Sequence, residues 1–120
     1  YNKPRDKRGS AQFTYGGAEM TTPKAATWQT ILEKRTPELL KQVTGLRETV
    51  LVDGALSVKT KTLMMMLCDA LLAHPDGVVN IAKRARALGA SDAEIAETLA
   101  VAFLMGGMPG LVTGANAFRE

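Results

Sequence analysis

Ser57-Val58-Lys59-Thr60-Lys61-Thr62-Leu63-Met64-Met65-Met66-Leu67-Cys68-Asp69-Ala70-Leu71-Leu72-Ala73-His74-Pro75-Asp76-Gly77, residues 57–77, is the stretch on which the fold turns. Ser57 is a preferred N-cap residue because its hydroxyl can accept from an otherwise unpaired backbone N–H. A helix is expected from about residue 58 to residue 73. Its segment from Leu63 to Cys68 is apolar on every side, a pattern that belongs in the centre of a bundle or at a subunit interface. The ring of Pro75 disfavours helical geometry at His74 and fits the first turn of a new helix, so two helices meet at residues 74–77.

Reading outward, Val78, Ile81, Ala82, Ala85 and Leu88 line one face of the helix that follows. Lys83, Arg84 and Arg86 lie away from that face, and Gly89 supplies the stop. Ser91 with Glu94 forms a capping box for the next helix, through Ile95, Leu99, Ala102 and Phe103. Gly106-Gly107-Met108-Pro109-Gly110 breaks it, and a last short helix carries Leu111, Val112, Ala115 and Phe118. Upstream, Thr36-Pro37 opens a helix with Leu39, Leu40, Val43, Leu46 and Val50 on one face, closed by Asp53-Gly54. Thr22-Pro23 opens another, carrying Trp28, Ile31, Leu32 and Arg35. No β pattern and no internal repeat appears. The expectation is an all-α fold, a compact bundle of about six helices, in which residues 1–21 form an extended arm and residues 22–120 a single helical domain.

Composition narrows the function. With 120 residues, 46% hydrophobic, the chain supports one core. The net charge of +3 resides in Lys3, Arg5, Lys7 and Arg8 against Asp6, and the remaining 11 basic and 11 acidic residues balance. No basic face with interleaved reader residues is present, which argues against nucleic-acid binding. The longest apolar run falls far below the ~18 residues of a membrane span and no signal-peptide pattern is seen, so no membrane partner and a cytoplasmic location are expected. Cys68, the one cysteine, has no intramolecular disulfide partner. Beside Leu67, Leu71 and Leu72 it reads as a buried, inert thiol. The Met64-Met65-Met66 run reads as packing, not as a metal site, and Gly106-Gly107 lacks the strand and the lysine of a phosphate cradle.

The segments Asp53-Gly54-Ala55-Leu56-Ser57-Val58-Lys59-Thr60-Lys61, Ala87-Leu88-Gly89-Ala90-Ser91 with Glu94-Ile95, and Leu104-Met105-Gly106-Gly107-Met108-Pro109 frame residues 53–119. In this order and spacing they resemble the carboxymuconolactone decarboxylase and alkylhydroperoxidase D family. The resemblance implies subunits that assemble as homotrimers or homohexamers, with chemistry at the junction of the third and fourth helices. In the peroxidase branch that junction holds a Glu, a Cys-x-x-Cys pair and a His. The matching positions here are Thr62, His74 with Gly77, and Ile81. The redox motif is absent. The decarboxylase branch also carries a His at the position of Ile81, together with an acidic residue near Asp76.

His74, the sole histidine, and Asp76 are therefore the candidate catalytic acid/base pair, and Lys59 and Lys61 the candidate carboxylate-binding residues. Neither a cofactor nor a metal is expected. The bland readings stand beside these: His74 and Asp76 as ordinary residues of a helix start, and the lysines as solvated helix-start residues. Two functions remain open. One is a cofactor-independent decarboxylase- or lyase-type enzyme acting on a small organic acid. The other is a catalytically silent structural or regulatory subunit, in which the arm docks on a neighbouring copy or an unlike protein subunit.

Overall fold

The computed structural model describes residues 26–120 and, as backbone, the strand pair Thr14–Tyr15 and Ala18–Glu19. The chain divides into two compact units, Tyr1–Leu40 and Lys41–Glu120. The first holds β1 (Thr14–Tyr15), β2 (Ala18–Glu19) and α1 (Trp28–Arg35). α2 (Pro37–Val50) crosses the boundary. The second holds α3 (Val58–Leu71), α4 (Pro75–Ala87), α5 (Asp92–Gly114) and a terminal 3-10 turn (Ala115–Phe118). The molecule is all-α apart from the two-residue strands.

Those strands correct the expectation of no β structure. Thr14 pairs with Glu19 and Tyr15 with Ala18, antiparallel, leaving Gly16-Gly17 between them. Two glycines at such a spacing are a two-residue hairpin signal. The remainder of the expected arm, the helix start at Thr22-Pro23 and the domain boundary after residue 21 lie outside the described residues. The described helix begins at Trp28, where the Thr27 hydroxyl accepts from the Thr30 N–H.

The core lies among α3, α4, α5 and the terminal turn. Met66, Val78, Ile95 and Thr62 are its largest fully buried side chains, with Ala70, Ala82, Ala102 and Ala117 filling between them. Alanines at the contact positions let the helices approach closely, so a small core is tightly packed. Gly107, at φ +65°, breaks α5 in the expected place, and the short helical segment that follows the kink turns back against the first half of α5. A Cβ at Gly110 would press on the Ala102 carbonyl, and one at Gly114 on Leu99. By length and composition alone, residues 92–118 could cross a membrane. The reversal leaves residues 92–106 as the continuous rod, about 22 Å long against a hydrocarbon core of about 30 Å.

The terminal turn is fastened by Arg86, which the sequence placed on a free face. Its Nη1 donates to the Ala117 carbonyl at 2.9 Å, its Nε pairs with Asp92 at 3.1 Å, and its guanidinium lies 5.5 Å from the Phe118 ring centroid.

One expectation for α3 also needs correction. Only Thr62, Met66 and Ala70 of that helix are buried. Cys68 is exposed, as are Met64, Leu71 and Leu72, because α4 and α5 cover one side of α3 and leave the other open. Apolar neighbours in sequence therefore did not bury the thiol.

Candidate active site

The α3–α4 junction is built by the way α3 ends. Leu72 is the C-cap, Ala73 takes a left-handed φ of +59°, and the His74 N–H donates to the Asp69 carbonyl at 2.9 Å. This six-to-one bond is the mark of a Schellman stop, in which the left-handed position usually belongs to glycine. The stop carries His74 back over Asp69. Its Nδ1 stands 3.1 Å from Asp69 Oδ1, so the two residues are joined through both backbone and side chain. His74 is also the N-cap residue of α4, yet its side chain makes no capping hydrogen bond.

The Asp69 carboxylate rests against Gly77 in the first turn of α4. A Cβ at Gly77 would collide with Asp69 Oδ2. Asp69 also lines an open cleft of about 510 Å3 formed by the end of α2, the α2–α3 connection, α3 and α4. Val50, Leu51, Leu56, Met64, Met65 and Ile81 give the cleft its apolar walls, and Arg47, Lys61, Cys68 and Asp69 supply the polar groups. The α2–α3 connection is held by Asp53, whose Oδ1 accepts from the Val58 N–H at 2.8 Å, and by the Ser57 cap on Thr60.

The structure redistributes the residues singled out from sequence. Asp76 pairs with Arg119 at 2.9 Å, while the residue bonded to His74 is Asp69. Lys59 pairs with Glu94 at 2.9 Å. Lys61 lines the cleft, but its Nζ donates to the Val50 and Val52 carbonyls at 2.9 and 2.8 Å, closing the end of α2. The Lys59 ammonium, together with the Ser91 N–H, holds the Glu94 carboxyl below the ordinary glutamate range. Ile81 and Cys68 share the cleft with Asp69, and the buried Thr62 hydroxyl donates to the Val58 carbonyl at 2.7 Å.

Sequence reasoning missed Asp69 and Arg47. Asp69 lies five residues before His74, a separation that brings two side chains together only when a left-handed residue reverses the chain between them. Ala73 gives no sign of that geometry, as a glycine would have. Arg47 reads as one more basic residue near a helix end, a common and favourable placement.

An all-α subunit with an open cleft among α2, α3 and α4 defines the class. The chain belongs to the carboxymuconolactone decarboxylase family, whose model matches residues 37–120. It is similar to the crystal structure of an apo carboxymuconolactone decarboxylase family protein from Legionella pneumophila, with 33% identity and a TM-score of 0.68. That match covers 72% of this chain and 78% of the other. No curated protein gives a significant match.

Proposed function

We propose that the chain is a carboxymuconolactone decarboxylase-like enzyme that carries out cofactor-independent acid/base chemistry of the decarboxylase or lyase type on a small organic acid, with the α2–α3–α4 cleft as its site. The observation that carries this reading is the double role of Asp69, which lines the cleft and bonds His74 Nδ1. A carboxylate on Nδ1 fixes the tautomer with its proton there, leaving Nε2 as the nitrogen that exchanges protons with a substrate. In a decarboxylation the C–C bond breaks, carbon dioxide leaves, and the electron pair left on carbon takes a proton from the protonated imidazole. Asp69 positions that imidazole, while Asp76, the expected partner of His74, pairs with Arg119.

Thiol peroxidase activity is not expected, because a dithiol cycle needs a second thiol within bonding reach of Cys68 and the chain has none. The test of the enzyme reading is turnover of small carboxylated lactones and related acids by the wild-type protein and by His74→Ala. Loss of a general acid or base costs about 100- to 10,000-fold in rate. Full turnover by a normally folded His74→Ala protein overturns the assignment.

A second reading is a catalytically silent subunit, supported by the apolar surface left open. α1 and α2 bury no residue, and Leu39, Leu46 and Val50 of α2 stay exposed among the described residues. Leu104, Met105, Met108 and Val112 are likewise exposed. Surface of this kind marks association, and a homotrimer or homohexamer in a cytoplasmic setting is compatible with either reading. Native mass measurement of the protein from its source tests this second reading: a stable complex with an unlike protein supports the silent subunit, and a homo-oligomer leaves turnover to decide between the two.

A further inference from the structure

We infer that the cleft selects a monocarboxylate with an apolar body, such as a medium-chain or aryl acid, and rejects a dicarboxylate. This rests on the reading of the cleft as the substrate site and assigns it a substrate class from its charges. Three charged side chains line it, and two are already committed. Lys61 gives its ammonium to two α2 carbonyls. Asp69 is bound to His74 and repels an anion brought beside it. Arg47, in the last turn of α2, takes part in no ion pair or side-chain hydrogen bond among the described residues. A guanidinium is well suited to a carboxylate, which it can hold through two parallel hydrogen bonds.

The remaining wall is hydrocarbon and thioether. Val50, Leu56, Met64, Met65 and Ile81 offer a ligand apolar contact and no donor for a second charge. Burying an unpaired carboxylate against such a surface is strongly unfavourable, whereas burying a hydrocarbon chain there is favourable. The cleft volume of about 510 Å3 lies within the usual range for small-molecule sites. One available cation beside an apolar wall thus fits one anionic group on an apolar body.

The test uses the full chain and methyl NMR, with octanoate below its micellar concentration, octanamide as the uncharged analogue and octanedioate as the dianion. Octanoate is expected to shift the Met64, Met65 and Ile81 methyls saturably, leaving the exposed Met105 and Met108, which do not line the cleft, unmoved. Octanamide, octanedioate and octanoate with Arg47→Gln are each expected to bind about 10- to 100-fold more weakly, as for loss of a charge-assisted hydrogen bond. Equal or tighter binding of octanedioate at the same methyls overturns the inference but leaves the cleft as the site. Octanamide matching octanoate, or shifts at Met105 and Met108 as large as those in the cleft, overturns it as well. None of these outcomes depends on His74, whose role is tested separately by turnover.

Discussion

The α3–α4 and α4–α5 turns solve one problem with different materials. Both end a helix with a Schellman stop, and in both a backbone N–H reaches five residues back: His74 to Asp69 in the first, Ala90 to Ala85 in the second. At α4–α5 the left-handed residue is Gly89, at φ +94°, and Ser91 with Glu94 then caps the next helix reciprocally. At α3–α4 the left-handed residue is Ala73, and the N-cap side chain of His74 turns away from the helix it precedes. The second turn obeys every local preference. The first departs from two of them at the place where Asp69, which lines the cleft, pairs with His74. Strained backbone and unused capping concentrate where geometry serves something other than stability.

If that contrast reflects function, crowding the seat of Asp69 has the largest effect. Gly77→Ala places a methyl group where the Asp69 carboxylate lies, so the carboxylate must rotate away from His74. Ala is favoured over Gly inside a helix by about 1 kcal/mol, which keeps the variant folded. Turnover is expected to fall at least about tenfold, a part of the full general acid/base contribution. The His74 ring resonances are expected to move with it. Unchanged turnover and unchanged ring shifts disprove a positioning role for Asp69.

The α4–α5 turn answers differently, in stability alone. Ser91→Ala removes the acceptor for the Glu94 N–H and is expected to cost about 1 kcal/mol in denaturant unfolding, with turnover unaffected. Its partner sets the pH dependence. The Lys59 ammonium and the Ser91 N–H depress the folded-state pKa of Glu94, so the ionised carboxylate binds better in the folded chain than in the unfolded one. The contribution is complete above the ordinary glutamate range and is lost as pH falls through the lower folded-state value. Glu94→Gln is expected to flatten the acid limb of the stability profile; an acid limb identical to wild type removes this pair from the account.

These two turns also mark what the sequence made legible. Capping and helix-stop chemistry is local, so Ser57, Gly89, Ser91 and the break at Gly107 are readable from single residues and their spacing. The family segments, which surround these signals, were readable for the same reason. The candidate site was legible in location and in His74 but not in its partner, since Asp69 reaches the imidazole through a conformation that alanine seldom adopts. Cys68 was misread because burial depends on which side of α3 the other helices cover, and a helix apolar all round does not specify that side. Lys59 and Lys61 look like free cations in sequence, and only the fold supplies Glu94 and the end of α2 as their partners.

The smallest expected effect, and the sharpest test of the comparison, is at Ala73. A left-handed non-glycine residue carries strain of roughly 1 kcal/mol or slightly more, from the crowding of Cβ against the backbone. Ala73→Gly relieves that strain and makes the α3–α4 turn like the one at Gly89. The same change widens the unfolded ensemble, which takes back part of the gain. A net stabilisation of under about 1 kcal/mol is expected in denaturant unfolding, with the slope unchanged. The functional consequence runs the other way. Glycine samples more backbone conformations, so the Asp69–His74 pair is held less firmly and turnover is expected to drop a few-fold, roughly what incomplete orientation of an acid/base group implies. Stability rising while turnover falls is the signature of a strained residue retained for the site. A variant that is both more stable and fully active reduces Ala73 to a helix stop of unusual composition, and the two turns then differ in sequence but not in purpose.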